Sequence, residues 1–379
     1  MDVTRTAFGT WSGGRYMHFG EPLSEERYLK VIQHAYQRGI RTFMTADVYS
    51  NGLADEMLGR SLAGLPRDSY CLVGAIGHDF YQGHRSGAKG YPRFTSTHTP
   101  AEYADYLRMA TEKSLTRCRA DQFDLLLLHN PDFTGYTSDK VWTAMEKLRE
   151  ANLTHRLGIA PGPANGFTLD LLLCFDRFGP LLDWAMTILN PLEPWPGRLV
   201  LPAAVKQQVN VITRVVDYGG LFHDDVKPGH EFGQQDHRAF RPAGWVEAGC
   251  AKMDQMRTLA ANQGVTMLQL ACLWNLSQPG VKSVIPTLIQ ESGAAAKLIE
   301  TKVEELASLP AIKLTSADCD IMAAIGDNKG CMELKGATRS HAGEPLPDRW
   351  SLTPDHDRVA HLWGLNPDTE LASSPKMVA

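Results

Sequence analysis

Eight short, apolar, β-rich stretches alternate with helical patterns over about 300 residues of this chain, and that alternation constrains its fold more than any other feature. The fourth stretch shows why. Phe123 to Leu128 is almost wholly apolar, as a strand covered on both faces requires, and it stops abruptly at His129-Asn130-Pro131-Asp132. Strands buried on both faces belong to parallel sheets, whose connections are helices. The other stretches fall at 6–10, from 41 onward, and at 70–74, 156–160, 184–189, 209–213 and 282–285. Helical patterns stand between them. Over 24–38, for example, Tyr28, Val31, Ile32 and Ala35 recur at helical spacing. Thr99-Pro100-Ala101-Glu102 reads as a helix start with a capping-box glutamate.

The pattern predicts a (β/α)8 TIM barrel over residues 1–310. An open doubly wound sheet is expected to carry Gly-x-Gly-x-x-Gly after its first strand, and Gly13-Gly14 does not supply one. Residues 311–379 form a C-terminal extension, partly helical, expected to dock over the barrel mouth and to fray at its polar end. With 43% apolar and 21% charged residues the chain reads as globular. A net charge of −5 offers nothing to attract nucleic acid or an anionic membrane, and no run is long enough to span a bilayer. Seven scattered cysteines without Cys-x-x-Cys fit a reducing cytoplasm and speak against a structural zinc. The sequence is silent on oligomeric state.

Barrel enzymes keep their sites where strands end at the carboxyl-terminal rim. The second stretch turns polar at Thr45-Ala46-Asp47-Val48-Tyr49, and a tyrosine there can donate a proton at neutral pH. His129 closes the fourth stretch. Asn190 and Glu193 follow the sixth, Arg214, Asp217 and Tyr218 the seventh, and His223 lies just beyond. The long loop 77–98 brings His78 and Asp79 close after the third stretch. Trp11, Phe19, Phe80, Tyr81, Trp195 and Tyr218 offer aromatic walls for a small-molecule substrate. His78, His129, Glu193, Asp217 and His223 include metal-ligating types, but no ligand spacing supports a metal site.

The chain resembles the aldo-keto reductase superfamily. The resemblance rests on Phe8-Gly9-Thr10-Trp11, Gly39-Ile40-Arg41-Thr42-Phe43, Thr45-Ala46-Asp47-Val48-Tyr49 and Leu58-Gly59-Arg60. It continues through Leu127-Leu128-His129, Gly158-Ile159, Asp236-His237-Arg238, Leu270-Ala271-x-x-Trp274 and Val281-Lys282-Ser283-Val284-Ile285-Pro286. The resemblance implies hydride transfer from a nicotinamide cofactor, assisted by a tyrosine, a histidine, a lysine and an aspartate. The tyrosine and histidine fall on Tyr49 and His129, which would then face one another at the mouth. The aspartate position falls on Met44 and the lysine position on Ala75, with His78 and Asp79 as possible replacements from the loop. Positions that hold the nicotinamide fall on Ala160-Pro161 and Met186, and Thr287-Leu288-Ile289-Gln290-Glu291 brings no cation to the cofactor phosphates. The N-terminal hairpin that plugs the barrel bottom in the family is not expected here.

These departures lead to an expectation of Tyr49/His129 acid–base chemistry on a small hydroxylated or carbonyl compound, as a lyase, dehydratase or isomerase, with no cofactor. Trp11, Asp47, His78, Asn190, Arg214, Asp217 and Tyr218 are expected to bind the substrate. The alternatives are a divergent NADP-dependent reductase and a non-catalytic binding barrel.

Overall fold

The computed structural model describes residues 1–15, 19–85, 90–162, 167–233, 236–241, 243–329 and 352–371. Eight parallel strands follow one another in chain order: β1 Ala7–Gly9, β2 Thr42–Met44, β3 Cys71–Ile76, β4 Leu125–His129, β5 Leu157–Ala160, β6 Trp184–Ile188, β7 Asn210–Arg214 and β8 Val281–Ile285. Thr6 bridges Val284, and the Val284 amide donates to the Arg5 carbonyl at 3.0 Å, which brings the last strand against the first. This is the (β/α)8 barrel expected from the alternation.

β4 explains its own composition. Leu125 and Leu127 point into the barrel with Ala7, Val73, Trp184 and Ile212. Leu126 and Leu128 point outward against the helices. Both faces are dry, so a period-2 pattern has no polar half. Asp124 precedes the strand at the barrel's amino-terminal end and is 2% exposed. It accepts from the Leu72 amide and from Arg67, each at 2.8 Å, and so is structural. Gly74 in β3 lies where an added Cβ would sit 2.6 Å from the Phe123 ring, so no larger residue fits without displacing it.

Helix boundaries shift modestly from expectation. Glu102 does reach back to the Thr99 amide at 2.7 Å, but the helix proper is Tyr103–Cys118. The intervening residues form a tighter turn, with the Glu102 amide on the Thr99 carbonyl. The extension differs more. Helix Pro354–Leu362 packs beside helix Thr168–Phe178, where His356 meets Asp170 at 3.1 Å and Arg358 meets Asp176 at 2.8 Å. Glu370 supplies a carbonyl to the Trp195 indole at 2.6 Å. Among the described residues, none beyond Ile289 lines the mouth cavity, so the described part of the extension braces the barrel flank rather than covering its opening. Residues 330–351 and the end expected to fray lie outside the described residues. No helix among the described residues is long and apolar enough to cross a membrane.

Candidate active site

A cavity of about 470 Å³ opens at the carboxyl-terminal rim. Met44, Met186 and Ile285 belong both to the barrel interior and to the cavity lining, and form its apolar floor. Tyr49 and His129 stand together in it, with ring centroids 5.7 Å apart at 82°. Trp11 leans on Tyr49 at 4.3 Å, and His78 meets His129 edge-on at 5.1 Å. Four strand ends therefore converge on one point, from β1, β2, β3 and β4. Gly77 makes the approach possible: its φ is +153°, and a Cβ there would lie 2.7 Å from the His129 carbonyl oxygen.

Electrostatics follow from burial. Burial pushes the Tyr49 phenol up to about 12, partly opposed by the Arg214 guanidinium. Burial, with His78, Arg214 and Arg93 around it, holds His129 well below the usual imidazole range, so it is neutral at pH 7. His78 is pulled down to about 3 by burial and by Arg93. Its Nε2 lies 3.1 Å from the Asn130 side-chain nitrogen, and its Nδ1 lies 3.1 Å from an Arg93 nitrogen. Arg93 also donates to the Asn130 carbonyl. Arg214 sends Nη2 to the Pro161 carbonyl at 2.6 Å, which ties the end of β7 across to β5. Its Nε, His129 Nδ1 and one Glu193 oxygen are all buried without a partner. Unpaired buried polar atoms occur elsewhere in the described residues too, but these three gather at one cavity, where a polar ligand could meet them.

Six of the nine residues expected at the site line the cavity: Trp11, Tyr49, His78, His129, Arg214 and Asp217. Three do not. Asp47 is fully buried beneath the rim, with its amide on the Ala75 carbonyl and both carboxylate oxygens without a hydrogen-bond partner. Burial and the nearby Asp55 raise its carboxyl well above the ordinary range. Asn190 is fully buried and fastens the turn after β6, donating to Glu193 at 2.9 Å and to the Val215 carbonyl at 3.0 Å. Tyr218 is 2% exposed and packs on Trp245 at 5.9 Å. Asp217 reaches the cavity, but its oxygens take the Thr287 and Gly220 amides at 2.7 and 2.9 Å.

Asp79 is no substitute for a lysine: it is fully buried and accepts from the Tyr81 and Gln82 amides. His223 is fully buried with Nε2 on the Thr287 carbonyl. Of the aromatics, Trp11 and Phe19 line the cavity, whereas Phe80 and Tyr81 stack on each other at 4.1 Å outside it. No three potential metal ligands come together among the described residues. Arg241, Asn130 and Arg93 escaped the sequence reading. Arg93 lies deep in a loop and Arg241 far beyond β7, and neither position carries a local signal.

The aldo/keto reductase family model matches residues 5–299. This chain belongs to the aldo/keto reductase family. Relatives of this aldo/keto reductase are distant. A probable voltage-gated potassium channel subunit beta of Arabidopsis thaliana is 24% identical over 312 residues, 77% of this chain and 85% of its own. The solved glycerol dehydrogenase of Gluconobacter oxydans superposes with a TM-score of 0.67 at 24% identity, covering 86% of this chain and 92% of its own. An aldo/keto reductase from Klebsiella pneumoniae, crystallised with NADP and acetate, gives 0.55 at 19% identity, covering 85% and 91%. That complex overturns the expectation of no cofactor. The expectation leaned on side chains at the ends of β5, β6 and β8, but backbone amides and other side chains can also bind a dinucleotide.

Proposed function

We propose that this aldo/keto reductase is an NADP(H)-dependent oxidoreductase interconverting a small hydroxylated compound and its carbonyl partner. The observation that carries the reading is the Tyr49–His129 contact over an apolar floor, in a cavity with an unpartnered buried guanidinium nitrogen at each of two arginines, Arg214 and Arg241. Those nitrogens suit a ligand bearing anionic or carbonyl oxygens, so the residues fit a phosphate-bearing cofactor. Arg241 and the turn through Gly219 would hold its phosphates, and Met186, Ile285 and Trp11 would flank its ring. When bound, the nicotinamide supplies or accepts the hydride.

The chain's own residues handle the proton. Tyr49 keeps its hydrogen throughout the neutral range, since its phenol is raised to about 12. It is therefore ready to donate to a carbonyl oxygen in the reducing direction. Arg214 favours the phenolate left behind, a task that a lysine performs in the resembling pattern. His129, neutral, can orient the same oxygen by a hydrogen bond without competing for the proton. Met44 and Met186 keep water from the reacting carbon.

A lyase or isomerase would use the same Tyr49/His129 pair, but the name glycerol dehydrogenase among the structural neighbours favours redox chemistry. The six described cysteines are buried free thiols, which suits a reducing compartment such as the cytoplasm. The test is spectrophotometric. Purified protein is offered NADPH with short aldehydes and ketones, and NADP with polyols and aldoses, while absorbance at the nicotinamide band is followed. Turnover lost in Tyr49→Phe supports the reading; no turnover with any substrate pair, together with no nucleotide binding, sinks it.

A further inference from the structure

The segment after β8 carries no cation, and its one acid, Glu291, is already engaged. Its partner is Arg238, on the 3₁₀ turn His237–Phe240. Arg238 sends Nη1 and Nη2 to Glu291 at 2.5 and 2.9 Å, and Nη2 and Nε to Asp236 at 2.7 and 3.0 Å. Nη1 also donates to the Gly219 carbonyl at 3.1 Å. Every nitrogen is used and the residue is 1% exposed, so Arg238 has nothing left to offer a ligand.

Arg241, the residue that caps the same turn, is its opposite. It lines the cavity, and its buried Nη1 has no partner. Its guanidinium carbon lies 4.5 Å over the Trp245 ring and 5.2 Å over the Tyr218 ring, so two aromatic faces hold the plane in place. Gly219 sits against it. A Cβ at Gly219 would come within 3.0 Å of Arg241 Nη2, and φ there is +66°, so glycine lets the guanidinium lie directly on the backbone of this turn. Asp217 is the nearby acid and feels the Arg241 charge, but its oxygens are taken by the Thr287 and Gly220 amides, and Arg241 Nη1 has no hydrogen-bond partner. An oriented, partly buried guanidinium with an idle nitrogen, beside a glycine turn, is built for a bidentate anion.

We infer that Arg241 receives a phosphate of the dinucleotide, in place of the cation missing after β8. The assignment rests on the oxidoreductase reading above but is tested by binding alone. Full-length wild type, Arg241→Ala and Arg241→Lys are titrated with NADPH and with NADH, following tryptophan fluorescence quenching, and circular dichroism checks each fold. Arg241→Ala is expected to weaken NADPH binding by about 10- to 100-fold, the loss that follows from removing a charge-assisted hydrogen bond. Arg241→Lys retains the charge without the fork and should fall between. If NADH weakens equally, the phosphate is in the pyrophosphate; if only NADPH weakens, it is the 2′-phosphate; both outcomes support the inference. Unchanged affinity for both nucleotides in a folded Arg241→Ala overturns it and leaves the oxidoreductase reading standing. A wild type that binds neither nucleotide overturns both.

Discussion

Arg238 and Arg241 stand on one short turn and differ in everything that decides their roles. Arg238 is locked between Asp236 and Glu291 with no nitrogen spare, whereas Arg241 faces the cavity with one nitrogen idle. The same contrast separates larger regions. Asp124 at the amino-terminal end of the barrel is saturated by an amide and a guanidinium. At the carboxyl-terminal end, His129, Glu193 and Arg214 each keep a buried polar atom unpaired. Satisfied buried charge holds a fold together, whereas unpaired buried polar atoms gathered around one cavity leave room for a polar ligand to complete them.

Four substitutions and one pH profile press on that contrast. The largest effect belongs to Tyr49→Phe, expected to slow turnover by about 100- to 10,000-fold while leaving the melting temperature unchanged. In wild type the reducing rate should stay flat through neutral pH, and the oxidising rate should climb as pH rises toward the raised phenol value of about 12. A reducing rate that collapses between neutral and mildly alkaline pH would mean that another group donates the proton.

Arg238→Ala comes next. It strands two buried carboxylates, and urea denaturation should report a loss of about 3–5 kcal/mol. If it costs no more than Arg241→Ala, the distinction between locked and idle arginines fails. Asp124→Asn is smaller, at about 1–3 kcal/mol at neutral pH. Burial alone would raise that carboxyl, but the Leu72 amide, the chain's amino terminus and Arg67 together lower it. Its folded value thus lies below its unfolded one. The stabilisation is present above the unfolded value and is lost as pH falls through the folded one. Denaturation curves of wild type and Asp124→Asn should therefore converge in acid. Arg241→Ala closes the series, with a loss of about 0.5–1 kcal/mol from its contacts with the Trp245 and Tyr218 rings, since it strands no hydrogen-bonded partner.

The barrel was legible because burial on both faces leaves a mark on every strand, and β4 shows it in Leu125 through Leu128. The rim positions of Tyr49 and His129 were legible because His129 closes an apolar run and Tyr49 ends the polar turn that follows another. Asp47, Asn190 and Tyr218 looked the same in sequence and went elsewhere. Asn190 turns back to the Val215 carbonyl, Tyr218 packs on Trp245, and Asp47 is enclosed beneath the rim, and these placements depend on neighbours far along the chain. The extension likewise offered helical patterning without a destination; the His356–Asp170 and Arg358–Asp176 contacts put it on the flank.

The linear sequence by itself determined the eight-fold strand–helix alternation, the dry interior and the rim as the place for chemistry, because these follow from local periodicity and hydrophobicity. Only the tertiary structure decided which charges are spent and which are free. Glu291 lies 53 residues from the arginine that consumes it, and Arg241 meets the cavity only once the turn after β7 folds back over Gly219. Pairing of buried charge is a matter of distance in space, and spacing along the chain does not encode it.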